Sequence, residues 1–189
     1  MACRLAALIL AMLPAVSVSA VEMLHLDTTR KGGIYVLDAE VRIDAPLSAV
    51  RAVILDFEHL AQLSERVEES RVLEREPNGT LVFTRVDGCI AVVCREVERV
   101  ERVVDFSMNH IEATVLPEHS NVKYGKTVWM LHEEEDDATR LEYHMAFQPG
   151  FWVPPLVGRM AVQRSMRAEA SKMFERLEEL AARVVIDRP

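Results

Sequence analysis

The apolar positions of the last forty residues set the frame for the rest. From Val157 to Val184 no proline interrupts the pattern and Gly158 is the sole glycine. Val162, Met166, Ala170, Met173, Leu177, Leu180 and Val184 recur at spacings of four and three, which is one face of a helix. Arg164, Arg167, Glu169, Lys172, Glu175, Arg176, Glu178 and Glu179 fill the other faces. The pattern predicts a helix of about 25 residues, about 38 Å long at 1.5 Å per residue. It must start after Pro154-Pro155, because two adjacent prolines cannot sit inside a helix. No second helix as long is predicted upstream. A long one-sided helix needs an apolar surface to lie on, and a curved sheet wrapped round it supplies one.

The upstream pattern is mostly of strand type. Residues 21–33 are polar, end in Gly32-Gly33, and read as a lead into the fold. Ile34–Ile43 alternates as a first strand. Asp44-Ala45-Pro46 breaks it and opens a helix with Leu47, Val50, Val53 and Ile54 on its apolar face. His59–Ser64 reads as a second short helix. Six strands are predicted after it: Val67–Arg75, Thr80–Asp87, Arg95–Val104, Phe106–Leu116, Lys126–Glu134 and Thr139–Gln148. An Asn78-Gly79 turn joins the first two of these, and Asp136-Asp137 joins the last two.

The last hairpin has two distinct faces. Pairing Glu135 with Thr139 across a three-residue loop sets Trp129 against Met145 and Leu131 against Tyr143. Trp129, Leu131, Leu141, Tyr143, Met145 and Phe147 then share one face. Lys126, Met130, His132, Glu142, His144 and Gln148 share the other. A one-residue slip would mix the sets, so the pattern specifies the faces.

Length and composition suggest one domain with a sizeable core. Asp and Glu number 30 against 22 Lys and Arg, for a formal net charge of -8. An acidic chain without a basic face argues against nucleic-acid binding. Residues 1–20 stand apart. Arg4 is a short positive region, Leu5–Leu13 is an apolar run ended by Pro14, and Val18-Ser19-Ala20 is a small-residue cleavage signal. This is the layout of a secretory signal peptide. The run is too short to span a membrane, for which about 20 residues are needed. The expected mature chain starts at Val21 and works in the periplasm or outside the cell.

The order is strand, two short helices, six strands and one long helix. That order, with VRIDAPLSAVRAVILDFEHLAQL near the start and FWVPPLVGRMAVQRSMRAEASKMFERLEELA at the end, resembles the START-like (SRPBCC) superfamily. Its members include polyketide cyclases, coenzyme Q-binding proteins and lipid-transfer domains. The resemblance covers residues 34–186. It implies an α+β helix-grip fold, a seven-stranded antiparallel sheet gripping the C-terminal helix, with a cavity for an apolar ligand between them. A fold of this kind does not fix the chemistry.

Within such a fold the aromatic and Met-rich face becomes a candidate ligand wall: Trp129, Leu131, Tyr143, Met145 and Phe147. Met160, Met166 and Met173 from the long helix, and Phe106 or Met108 from the preceding strand, are candidates to join it. Methionine suits surfaces that adapt to varied apolar ligands, although each of these side chains taken singly fits ordinary core packing. Phe151, Trp152, Pro154 and Pro155 are expected to border the mouth. His110 is the ambiguous histidine: it either hydrogen-bonds a ligand head group or is a structural residue. His132 and His144 fall on the outer face beside Glu142.

No zinc pattern or nucleophile elbow is present. The acidic run Glu133–Asp137 lacks the alternation and glycine of a calcium loop. Neither a metal nor a cofactor is expected, and catalytic residues are not assigned. Three readings follow: an exported protein holding an apolar small molecule, lipid or isoprenoid-like; a cyclase or dehydratase of polyketide-like substrates; or an envelope interaction module without a ligand. Two or more titratable groups converging in the cavity would favour the second over the first.

Cys89 and Cys94 are the two cysteines of the expected mature chain. Export favours a disulfide between them. On one straight strand a separation of five puts them on opposite faces, so the bridge demands a turn, with Ile90-Ala91-Val92-Val93 as its loop. Four apolar residues at a tip suggest that it covers the cavity, makes a transient membrane contact or touches a partner.

Overall fold

The computed structural model describes residues 21–90, 93–152 and 158–186. The signal peptide expected at 1–20, the tip at Ala91-Val92, and Pro154 and Pro155 lie outside the described residues. Eight strands form one sheet: β1 (Glu22–Lys31), β2 (Ile34–Ile43), β3 (Val67–Glu76), β4 (Gly79–Ile90), β5 (Val93–Ser107), β6 (His110–Val115), β7 (Val122–Glu133) and β8 (Thr139–Pro149). They lie in the order β1-β2-β8-β7-β6-β5-β4-β3, and every neighbouring pair is antiparallel. Helix α1 (Leu47–Ile54) follows β2, a single 3-10 turn covers Leu60–Gln62, and helix α2 (Gly158–Ile186) closes the chain.

The eighth strand corrects the expected count of seven. Residues 22–31 are not a lead but the edge strand β1, paired with β2 from Glu22↔Arg42 to Lys31↔Ile34. The turn is Gly32-Gly33, with φ of 60° and 89°. That left-handed geometry is what a two-residue hairpin requires and glycine supplies without strain. The polar composition hid the strand, because an edge strand buries few of its side chains.

Strand β2 carries the cleanest alternation, with every odd residue from Tyr35 to Ile43 buried. Its inner face meets α2, whose buried residues are Val162, Ala170, Phe174, Leu177, Glu178 and Ala181. The helical face is therefore centred on Phe174, Leu177 and Ala181, with Met166, Met173, Leu180 and Val184 half-buried at its flanks. Helix α2 touches β1 and β2 on one side, β4 on the other, and α1 alongside. A sheet that reaches one helix from both of its halves must curl. Bulges at Met23/His25, Val67/Glu69, Val72/Glu74, Asp105/Ser107 and Val122/Tyr124 supply local twist. Gln163 Nε2 donates to the Thr28 carbonyl at 2.9 Å, and Arg167 pairs with Asp27 at 3.0 Å, tying α2 to the edge strand. The Asp44 amide donates to the Glu178 carboxylate at 2.9 Å, tying it to the end of β2.

The β7–β8 register differs from the expected one by two residues. Trp129 pairs with Tyr143, Leu131 with Leu141, Thr127 with Met145, and Glu133 with Thr139. The connection is longer than three residues because Asp136 and Asp137 both adopt left-handed φ, 62° and 58°, within a 3-10 turn. Aspartate tolerates that region better than most residues. A slip of two preserves parity, so both sets of faces stand as read.

Candidate functional site

Directly opposed residues across a sheet point to the same face, so the inner surface can be followed strand by strand. One row runs Ala39, Tyr143, Trp129, Ile111 and Asp105. The next runs Leu37, Met145, Thr127, Ala113, Val103 and Thr80. Glu101 lies opposite Val82 and Val115, and Arg99 lies opposite Thr84. The concave side is thus an apolar wall with a polar patch on β4, β5 and β7.

The aromatic part is tightly built. Tyr143 meets the edge of Phe174 at a centroid distance of 5.5 Å and Trp129 at 5.8 Å, both T-shaped. Leu131, Leu141 and Phe174 are fully buried. Trp129, Met145, Met166 and Met173 face the same interior yet stay only half-buried. Half-buried apolar side chains on a concave face mean that neighbouring side chains do not fill the space in front of them. Phe147 shares the inner face of β8 but sits further along, packed with Val97, Val115, Val122 and Phe151. Gly125 makes that end possible: a Cβ there would lie 2.4 Å from Val115 Cγ2.

The polar patch was not foreseen. Arg99 Nε donates to Thr84 Oγ1 at 2.9 Å and lies 3.0 Å from Glu101 Oε2. The Arg99 side chain is 28 % exposed and that of Glu101 11 %. Tyr143 is pushed up to about 12, mainly by burial; Arg99 and the Thr127 hydrogen bond pull it down, and Glu101 pushes it up. Its phenol is therefore a neutral donor at physiological pH. The sequence did hold a signal for this patch. Positions 97, 99, 101 and 103 alternate inward as Val, Arg, Glu, Val. The outer-face Val100 is buried too, so the segment does not alternate cleanly, and residues 116–121 continue the pairing along its strand. The Leu116 amide donates to the Val100 carbonyl at 2.8 Å, and the Val100 amide donates to Ser120 Oγ at 3.0 Å.

Two of the expected ligand contacts belong elsewhere. His110 pairs with Met130 on the outer face, hydrogen-bonds Glu112 at 3.0 Å and stacks on Phe106 at 4.9 Å. Met108 sits in the β5–β6 turn and is 55 % exposed. The expected strand Phe106–Leu116 is broken there: Phe106 and Ser107 end β5, and His110 begins β6. Phe106 and Met160 are also exposed, so neither reaches the interior. The outer face is a charged belt, as read. His144 lies 2.6 Å from Asp38, His132 lies 3.1 Å from Glu142, and Arg140 bridges Glu40, Glu134 and Glu142. Glu112 is held below the usual carboxylate range, first by its hydrogen bond from Lys126.

Phe151 and Trp152 line a surface cleft of about 430 Å³ with Arg30, Gly33, Tyr35, Lys123 and Gln148. A second cleft, about 620 Å³ and strongly charged, lies between the 63–68 segment and α2. Neither is lined by Trp129, Leu131, Tyr143 or Met145. The second is crossed by Arg66–Glu169 at 2.9 Å and bordered by Arg176–Glu65 at 3.1 Å. At the tip, β4 and β5 pair as far as Ile90↔Val93, and Cys89 stands directly opposite Cys94. Pairing through Ile90↔Val93 puts these two residues in the strands rather than in the expected loop.

An antiparallel sheet curled on one long helix, with an amphipathic concave face, defines a helix-grip protein of the START-like class. The chain belongs to the polyketide cyclase / dehydrase and lipid transport family, whose model matches residues 36–182. Its fold is shared with TTHA0849 from Thermus thermophilus, at 20% identity and a TM-score of 0.65 over 79% of this chain and 98% of that one. The Zhui aromatase/cyclase from Streptomyces sp. R1128 aligns at 17% identity and TM-score 0.65, over 80% of this chain and 96% of that one. A STAR-related lipid transfer protein from Xanthomonas axonopodis aligns at 16% identity and TM-score 0.62, over 83% and 98%. No curated protein matches the sequence. Lipid-binding proteins and polyketide cyclases both occur in this superfamily, which ties it to apolar ligands in general.

Proposed function

We propose that the chain is an exported binding protein that holds an apolar small molecule, lipid or isoprenoid-like, between the concave face and α2. The observation that carries this reading is the unfilled apolar wall: Trp129, Met145, Met166 and Met173 face inward and are left half-buried. Covering such surface is worth about 25 cal/mol per Å², so an apolar guest gains affinity without any covalent step. Leu131, Tyr143 and Phe147 back the same wall. Export rests on the layout of residues 1–20. A Cys89–Cys94 bridge fits that compartment and the opposed register of the two residues. Trp152 at 76 % exposure is a contact available to a guest or a membrane at the cleft near the start of α2.

The test is native mass spectrometry of the purified mature protein after incubation with a lipid extract. The reading expects a one-to-one adduct that organic solvent releases. A protein that stays ligand-free with every lipid class offered would overturn it.

The cyclase or dehydratase reading keeps one observation in its favour. Arg99 and Glu101 pair at 3.0 Å on the inner face, which Tyr143 shares, so titratable groups are present on the wall itself. A Tyr143 phenol held protonated serves as a hydrogen-bond donor or general acid rather than a base. Turnover of a polyketide-like substrate that is lost in Glu101→Gln would establish this alternative.

A further inference from the structure

The two ends of the sheet expose apolar side chains in opposite electrical settings. The strand pairings bring the β1–β2 turn, the start of β7 and the end of β8 to one end: Lys31 pairs with Ile34, Tyr35 with Phe147, and Val122 with Pro149. Trp152 follows there and is mostly exposed, and Tyr124 at the same end is exposed as well. The β5–β6 turn lies at the other end, where Phe106 and Met108 are exposed. The acidic run Glu133–Asp137 is at that end too, because β7 runs from Met130, opposite His110, to Glu133, opposite Thr139.

The end that carries Trp152 is basic. Arg30 and Lys123 line the cleft with Phe151 and Trp152, and no carboxylate lines it among the described residues. Lys31 is the next residue along β1. All three cations are exposed, and among the described residues none of them makes an ion pair. Arg30 lies over the Tyr35 ring at 5.3 Å, a contact that leaves its charge uncompensated. Elsewhere on the sheet, Arg42, Arg85, Arg102 and Arg140 each meet a carboxylate at 3.0–3.5 Å. Glu96 and Glu98, which reach the Trp152 end on β5, are held by Arg85. The three unpaired cations outweigh Glu118, exposed on the turn before β7.

An exposed indole among unpaired cations has the composition of a water–bilayer boundary. The ring sits at head-group level, and each Lys or Arg is drawn to anionic lipid. A chain of net charge -8 is repelled from an anionic bilayer unless it turns its cations toward it, so charge decides which end approaches. The acidic end is turned away by the same field although it exposes Phe106 and Met108. We propose that the end formed by Trp152, Arg30, Lys31 and Lys123 is a docking surface for an anionic lipid bilayer. The surface takes its purpose from the binding reading above, as the place where an apolar guest enters or leaves a bilayer, but its test needs no guest.

The experiment is co-sedimentation of the mature protein at low salt with vesicles of phosphatidylcholine alone and of phosphatidylcholine mixed with phosphatidylglycerol. The protein should sediment with the mixed vesicles only, and added salt should release it. Its tryptophan emission should move to shorter wavelength on binding, and Trp152→Phe should abolish that shift, which assigns it to Trp152 rather than Trp129. Each cation is worth about a fivefold change in partitioning, so Arg30→Gln with Lys31→Gln and Lys123→Gln should lower it about a hundredfold. Phe106→Ser with Met108→Ser, at the acidic end, should bind as the wild type does. Equal sedimentation on both vesicles, none on either, or binding unchanged in the triple variant would overturn the docking surface. Release by inorganic phosphate beyond that by chloride of equal ionic strength would also overturn it, by making the cleft a site for a free anion. Native mass spectrometry with a lipid extract judges the binding reading separately, so either claim can fail alone.

Discussion

Phe174 is where the helix is locked to the sheet, and removing it gives a measurable cost. Its ring is fully buried, sits in the main core with Leu37, Val41, Leu141 and Leu177, and meets the Tyr143 ring edge-on at 5.5 Å. A buried aromatic withdraws about 150–250 Å², worth about 4–6 kcal/mol at 25 cal/mol per Å². Alanine keeps part of that area, and measured Phe→Ala changes cost about 3–5 kcal/mol. The core that holds Phe174 also packs the half-buried Met145 and Met173, whose flexible side chains can take up part of the gap. The expected cost of Phe174→Ala is therefore about 3 kcal/mol, at the low end of the range. Urea unfolding followed by circular dichroism should show a lower midpoint with an unchanged slope. A loss under about 1 kcal/mol, within the range of ordinary surface substitutions, would refute the placement of Phe174 between α2 and Tyr143.

Three further outcomes are expected. Glu178 has a pKa raised by burial, and the Asp44 amide pulls it down only in part. Its folded pKa thus lies above the unfolded one, so its contribution is fully present below about pH 4.3 and is lost as pH rises through the folded value. Glu178→Gln should accordingly raise Tm at pH 7 by about 2 °C and leave it unchanged at pH 4; a lower Tm at both pH values would show that the charge is needed. Trp152→Ala should weaken uptake of a fluorescent lipid while moving Tm by little, because the side chain is mostly exposed; equal affinity in the variant would remove Trp152 from the binding surface. The non-reduced mature protein should weigh two protons less than the reduced form; two free thiols titrating after unfolding without reductant would rule out the Cys89–Cys94 bridge.

What the sequence made legible follows from which residues answer to one neighbour and which to several. Ile34–Ile43 faces a single surface, so its period is clean, and the helical period of α2 is equally plain although the centre of its stripe is not. The inner set of the last hairpin survived a two-residue error in register because parity alone decides the face. Strand β1 was missed because its apolar content is low and its evidence lies in Gly32-Gly33, a turn signal rather than a strand signal. Phe174 and Ala181 were left out of the helical stripe, although they form its centre with Leu177. Arg99 and Glu101 were invisible for a different reason. Charged residues read as solvated, and it takes the curl of the sheet to turn Val97-Glu98-Arg99-Val100-Glu101 with Arg and Glu facing inward. His110, open in the sequence between a head-group contact and a structural residue, is set by the Met108–Asn109 turn on the convex side against Phe106 and Glu112.

The central claim is that an apolar guest enters the space in front of Trp129. The chain has two tryptophans, so Trp152→Phe leaves Trp129 as the sole reporter on the concave face. Titrating that variant with a brominated apolar chain, a contact quencher of indole, reads entry directly. The account predicts saturable quenching of Trp129 that an unbrominated guest of the same length reverses. Quenching that stays linear in added quencher, or that no guest competes away, would contradict it.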